Sequence, residues 1–131
     1  MKKFILFCSL LVLGTLSAHA FFTSDEFYQK LKVCNPTNNT SHNIIHGVAN
    51  GRCHFSMKGQ EVTDQDTNRS VKLDNCYIPM SEMNNYVSLS LKVNAFMADL
   101  LKTGNTPPES ELTYYKNLMR QKFNYEYKYC R

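Results

Sequence analysis

Residues 44–57 read Ile-Ile-His-Gly-Val-Ala-Asn-Gly-Arg-Cys-His-Phe-Ser-Met. Asn50-Gly51 stands at the centre of this stretch. A two-residue hairpin loop needs positive φ at both positions, and Asn-Gly adopts it at little cost. Beneath that turn Val48 pairs with Cys53, His46 with Phe55 and Ile44 with Met57. Side chains alternate along a strand, so these six share one face. All but His46 are apolar, which makes this the expected core face. The opposite face, with Ile45, Gly47, Ala49, Arg52, His54 and Ser56, is expected to be wetter.

Upstream, Thr23-Ser24-Asp25-Glu26 has the form of a capping box, with Thr23 bonding forward and Glu26 reaching back. Phe27, Leu31 and Cys34 then recur on one helical face. Asn35-Pro36 ends the helix, because a residue before proline avoids the helical region. Residues 35–42 follow as a polar loop. Downstream, residues 58–69 are polar and turn-like. Ser70 to Ile78 reads as a third strand. A bulge near Asp74-Asn75 would bring Cys76 and Ile78 onto the face of Val71 and Leu73.

Pro79 to Gly104 fits two periods. Val87, Leu89, Leu91, Val93 and Ala95 alternate as in a strand, while Tyr86, Leu89, Val93, Phe96, Met97 and Leu100 fit one face of a helix. Helix is preferred. Ser81 can cap it, Gly104 can stop it, no turn residue interrupts it, and the run is too long for a usual strand. Thr106-Pro107-Pro108-Glu109 opens a second helix, with acids in its first turn and Arg120 and Lys122 in its last. Phe123, Tyr125, Tyr127 and Tyr129 then alternate with Asn124, Glu126, Lys128 and Cys130, which predicts a final strand. The expected class is α+β, ordered as N-terminal helix, β-hairpin, third strand, two helices and C-terminal strand around a small antiparallel sheet.

The chain has 131 residues. Lys2 and Lys3 precede an apolar run from Phe4 to Leu13, and Ala18-His19-Ala20 has the small-x-small form that signal peptidase cuts. The run has the length of a signal-peptide core and is too short to span a bilayer. Residues 1–20 are therefore expected as a signal peptide. Residues 21–131 would form a single exported domain, periplasmic or extracellular, with no membrane span after cleavage. Without Lys2 and Lys3, 13 basic residues face 11 acidic ones. That balance, with no basic stripe, speaks against nucleic acid as a partner. Cys34, Cys53, Cys76 and Cys130 remain, an even set in an exported chain, and predict two disulfides. Of the three connectivities, Cys53–Cys76 and Cys34–Cys130 are favoured, the first joining neighbouring strands and the second the ends of the domain. No C-x-x-C is present, which argues against a redox motif or a zinc knuckle.

The motifs that would carry chemistry are thin. G-x-S-x-G, S-x-x-K and H-E-x-x-H are absent from the sequence. His42, His46 and His54 could ligate a metal, but the hairpin register places His46 and His54 on opposite faces, so no metal site is expected. Asp64-x-Asp66-x-Asn68 resembles the start of a calcium loop. Arg69 replaces its glycine and Asn75 its bidentate glutamate, which leaves an ordinary solvated loop. No cofactor is implied. Asn38, Asn39 and Asn68 head N-x-S/T triplets and are read as loop asparagines.

The layout resembles that of small exported bacterial disulfide-containing domains. The likeness lies in a short helix ending in Cys34 before Asn35-Pro36, an Asn50-Gly51-Arg52-Cys53 hairpin, and Cys76 just before a long helix. The resemblance implies location and fold type and carries no activity. The expected function is binding of an unknown protein or envelope glycan, through the aromatic strand (Tyr125, Tyr127, Tyr129) or the hairpin face around Arg52 and His54. The lesser reading is a small hydrolase or metal-dependent protein using His42, His46 or the Asp64–Asn68 loop.

Overall fold

The computed structural model describes residues 23–37 and 42–131; the expected leader, its cleavage site after Ala20, and Asn38 and Asn39 lie outside them. Among the described residues the architecture is α+β, with three helices, two small antiparallel sheets and two disulfides. Helix α1 spans Asp25–Lys32. A hairpin of β1 (Asn43–Ala49) and β2 (Arg52–Met57) follows, then β3 (Glu61–Asp64), β4 (Arg69–Lys72) and β5 (Cys76–Pro79). Two long helices close the chain, α2 (Met80–Thr103) and α3 (Glu109–Tyr129). The larger sheet has the order β1-β2-β5, and β3 and β4 form a separate ribbon.

Ser24, and not Thr23, caps α1. The Ser24 hydroxyl accepts from the Phe27 N–H at 3.2 Å. Thr23 is buried instead: its hydroxyl accepts from Gln60 Nε2 at 3.2 Å and points at Met57 sulfur, while Asn94 Nδ2 donates to its carbonyl at 2.7 Å. One residue thus ties the start of α1 to the sheet connection and to α2. A hydroxyl already engaged in the interior is not available to cap a helix.

The Asn50-Gly51 turn forms as expected, with positive φ at both residues and Ala49 opposite Arg52. The register holds as far as Gly47 opposite His54. Between Ile45 and Gly47 the ladder carries a bulge, after which Ile45 faces Phe55 and Ile44 faces Ser56. The extra residue shifts β1 by one, so Ile45 and not His46 joins Phe55 in the core. Gly47 makes the bulge possible with φ +121°, a region that side-chain-bearing residues rarely enter. Gly47→Ala should therefore lower stability by about 1–2 kcal/mol, read from urea unfolding midpoints. An unchanged midpoint would mean that the bulge does not need this backbone.

The expected third strand divides. Val71 lies in β4 and pairs with Val62 of β3, a strand that the polar 58–69 stretch concealed. Leu73 leaves the ribbon, donating to the Gln60 carbonyl at 2.9 Å and accepting from Met57 N–H at 2.7 Å. The chain then re-enters the larger sheet as β5, where Cys76 faces Phe55 and Ile78 faces Cys53. The break at Leu73–Asn75 takes the place of the expected bulge.

Helix α2 runs as predicted and stops at Gly104, whose φ of 65° is the left-handed closing conformation. Pro79 and Pro108 stand at the N-caps of α2 and α3 without side-chain caps, so neither Ser81 nor Thr106 serves as one. Helix α3 does not stop at Lys122 for a strand. No glycine or proline breaks it, and it carries the alternating aromatics through to Tyr129. Cys130 alone turns extended and makes a single antiparallel bridge to Cys76.

The main core lies between the larger sheet and the helices. Ile45, Cys53, Phe55, Met57, Cys76 and Ile78 from the sheet meet Phe27, Tyr28 and Leu31 of α1, Met83, Tyr86 and Val87 of α2, and Phe123 of α3. A second cluster, including Leu89, Val93, Met97, Tyr115 and Leu118, holds α2 to α3. Disulfides join Cys34 to Cys53 and Cys76 to Cys130, correcting the expected pairing. Cys53 faces Ile78, not Cys76, so the two neighbouring-strand cysteines are out of step. Cys34, with φ 53° just past α1, reaches Cys53 instead.

Candidate functional site

With the helices on the inner side of the larger sheet, the outward side chains of its strands form a row of stacked rings. The bulge puts His46 there, beside His54 of β2, which reverses the expectation that the two lie on opposite faces. Their rings stack at 4.1 Å between centroids, and His54 stacks in turn on Tyr77 of β5 at 4.4 Å. Three rings thus stand in a row across three strands. Polar partners fix the row at one edge. His46 Nε2 lies 2.8 Å from Ser56 Oγ, and His54 Nε2 lies 3.0 Å from Asn75 Oδ1. Ser56 is buried, and so is its cross-strand neighbour Ile44, outside both core clusters.

Arg52 extends the row toward the end of α3. Its Nη1 donates to the Tyr77 carbonyl at 3.2 Å, and its guanidinium lies 5.5 Å from the centre of the Tyr129 ring. The ammonium of Lys128 approaches the same ring at 5.2 Å. Tyr129 donates its hydroxyl to Glu82 at 2.6 Å. His46 is held below the ordinary imidazole value, first by burial, then by the charge of His54, then by Lys58. Cationic and imidazole side chains therefore dominate this face, and Glu82 is already engaged.

The expected aromatic strand does not form a platform. On a helix, residues two apart point about 200° from each other. Tyr125 packs against both cores, Tyr127 is exposed with Arg69 over its ring at 4.8 Å, and only Tyr129 reaches the sheet face. Of the sequence-derived candidates, the structure gathers Arg52, His54 and Tyr129 and disperses Tyr125 and Tyr127. It adds His46 and Tyr77. Tyr77 carried no motif; its place in strand β5, two residues before the proline that opens α2, was the available signal.

The other candidates serve local structure. Asp64 accepts from Asp66 N–H at 3.2 Å and from the Thr67 hydroxyl at 2.8 Å, and Asp66 pairs with Arg120 of α3. These carboxylates close the β3–β4 turn and dock it on α3. His42 lies exposed before β1, with its carbonyl accepting from Lys58 N–H. Among the described residues no group of three or more His, Cys, Asp or Glu could hold a metal ion. Two shallow grooves flank α1, and neither is lined by a histidine or a cysteine.

A buried polar network lies behind the sheet. Tyr86 donates to Glu126 Oε2 at 2.8 Å and Lys122 reaches the same oxygen at 2.6 Å. Burial pushes the Tyr86 hydroxyl well up, and the Glu126 charge adds to the effect. For Lys122, burial works to lower the ammonium, but Glu126 and Tyr28 together outweigh it and the net shift is upward. Tyr86 and Glu126 are fully buried and Lys122 nearly so, and the network holds α2 to α3. No helix among the described residues is long and apolar enough to cross a membrane. No family model, curated protein or solved structure matches this chain.

Proposed function

We propose that this is an exported binding module that recognises a partner protein through the outer face of the larger sheet. The observation carrying the reading is the His46–His54–Tyr77 row with Arg52 at its end, an ordered polar-aromatic stripe on the side of the sheet away from the helices. Function on rigid strands is precise because the scaffold, not the ligand, sets the geometry. Two buried disulfides suit an oxidising compartment, where they persist and compensate for a modest core. The apolar run with its small-x-small end supports removal of a leader before the domain acts. The resemblance to small exported bacterial domains fits the same picture.

A photo-reactive residue in place of Tyr77, introduced into the full chain in the cells that make it, should capture a partner protein outside the cytoplasm. The same residue in place of Tyr114, exposed near the far end of α3, should not. Mass spectrometry of the captured chain should show a start at Phe21. Adducts from Tyr114 alone, no adducts from Tyr77, or an uncut chain in the cytoplasm would defeat the reading.

A further inference from the structure

The identity of the partner surface follows from how the three rings stand. Successive planes are inclined by only 24° and 12°, so the rings meet face to face. Both faces of His54 are covered, as is one face each of His46 and Tyr77. What the row presents outward is its rims. Aromatic rims carry the positive side of the ring quadrupole, and imidazole rims carry N–H donors. A sugar ring, which binds by lying on an exposed aromatic face, finds His54 closed to it. His54 Nε2 donates to Asn75 Oδ1 and His46 Nε2 is engaged with Ser56 Oγ, so the nitrogen left to each ring is Nδ1, which offers an N–H to an anionic oxygen once both nitrogens carry a proton. We infer that the outer face of the larger sheet docks an acidic segment of a partner protein, and that protonation of His46 and His54 tightens the contact. The inference rests on the binding reading above and names its partner's chemistry and its control.

The charges around the row agree. Arg52 on β2, Lys58 just beyond it and Lys128 at the end of α3 are cationic. Tyr77 on β5 and Tyr129 on α3 are neutral phenols. Asp74 lies before β5 and accepts from Gly59 N–H, and Glu82 on α2 accepts the Tyr129 hydroxyl. A bound carboxylate replaces water beside the two stacked imidazoles and favours their charged forms. Binding then takes up protons, so affinity rises as pH falls through the imidazole range.

The test uses the full mature chain and immobilised poly-glutamate, with poly-glutamine as neutral control and alginate as a carboxylate-bearing glycan. Between about pH 7.5 and pH 5.5, at one ionic strength, poly-glutamate affinity should rise about five- to ten-fold. His46→Gln with His54→Gln should abolish that rise. Arg52→Gln should weaken binding at both pH values and leave the rise in place. Absent or pH-independent binding overturns the inference, as does a rise that survives in the double variant. Alginate binding as tight as poly-glutamate would move the partner to an acidic glycan and overturn the choice of protein. Capture at Tyr77 without any poly-glutamate affinity would leave the binding face standing and remove its acidic partner. Capture only elsewhere would remove the face itself.

Discussion

Glu126→Ala should cost about 4 kcal/mol, among the largest effects available to a single substitution in this domain. Glu126 is 1% exposed and its Oε2 receives both the Lys122 ammonium and the Tyr86 hydroxyl. Removing the carboxylate strands the buried Tyr86 phenol and leaves the largely buried Lys122 ammonium without its partner. Domains of this size have roughly 5–15 kcal/mol in total, so the variant should be near unfolding at ambient temperature. Urea unfolding of the variant against wild type reads the loss. Glu126→Leu combined with Lys122→Met and Tyr86→Phe should recover most of it, because an apolar replacement of similar volume avoids the desolvation penalty. A mild loss in Glu126→Ala would mean that water enters the site. Buried protons on the two long helices also set an alkaline limit. Tyr86, Tyr115 and Lys122 are all raised in the folded chain, so each holds its proton more firmly there than when unfolded. Their contribution is complete below the ordinary values of 10.0 for tyrosine and 10.5 for lysine, and is lost as pH rises beyond them. Wild-type stability should fall above about pH 10, and less steeply in Tyr86→Phe.

This network also shows why part of the fold could be read and part could not. Helix α2 was legible because its two ends carry punctuation, Pro79 and Gly104, that a strand would not need. The Asn50-Gly51 turn was legible because few other residue pairs tolerate its backbone. The end of α3 is not legible locally, because aromatics at 123, 125, 127 and 129 mimic a strand's period. The helix wins through contacts invisible at short range. Lys122 and Glu126 pair one turn apart, Phe123 enters the main core, and Arg69 from the distant ribbon covers Tyr127. Tertiary burial, not local period, decides such a segment. Strand β3 escaped notice for the opposite reason. Val62 is its only apolar residue, and its pairing with Val71 depends on a turn closed by Asp64.

The proposed binding face was half legible. Arg52 and His54 could be placed by counting from the turn. His46 could not, because a bulge is a one-residue event that inverts everything beyond it. Gly47 was the clue: an isolated glycine inside a strand pattern often marks a bulge. A bulge at that glycine brings His46 beside His54 and turns Ile45 into the core.

The second large effect concerns the chain terminus. Replacing Cys76 and Cys130 together by serine should cost about 4 kcal/mol, against about 3 kcal/mol for Cys34 and Cys53, because the bridges span 54 and 19 residues and closure entropy grows with the logarithm of the loop. The longer bridge encloses β5, α2 and α3. It also anchors the one extended step after α3, where Arg131 N–H donates to the Asn75 carbonyl at 2.8 Å and Asn75 N–H returns to the Arg131 carbonyl at 3.2 Å. Asn75 is the residue whose side chain meets His54. Losing the bridge should therefore loosen the His54–Tyr77 end of the row as well as the global fold, while the shorter bridge, which joins the end of α1 to the buried face of β2 at Cys53 and holds no hydrogen-bond partner of the rings, should disturb the row less. Urea unfolding ranks the two losses, and amide exchange at His54 and Tyr77 reads the local one. Peptide mapping of the unreduced wild type must first return Cys34–Cys53 and Cys76–Cys130. A map joining Cys53 to Cys76 would contradict the strand register itself, since in that register Cys53 stands opposite Ile78.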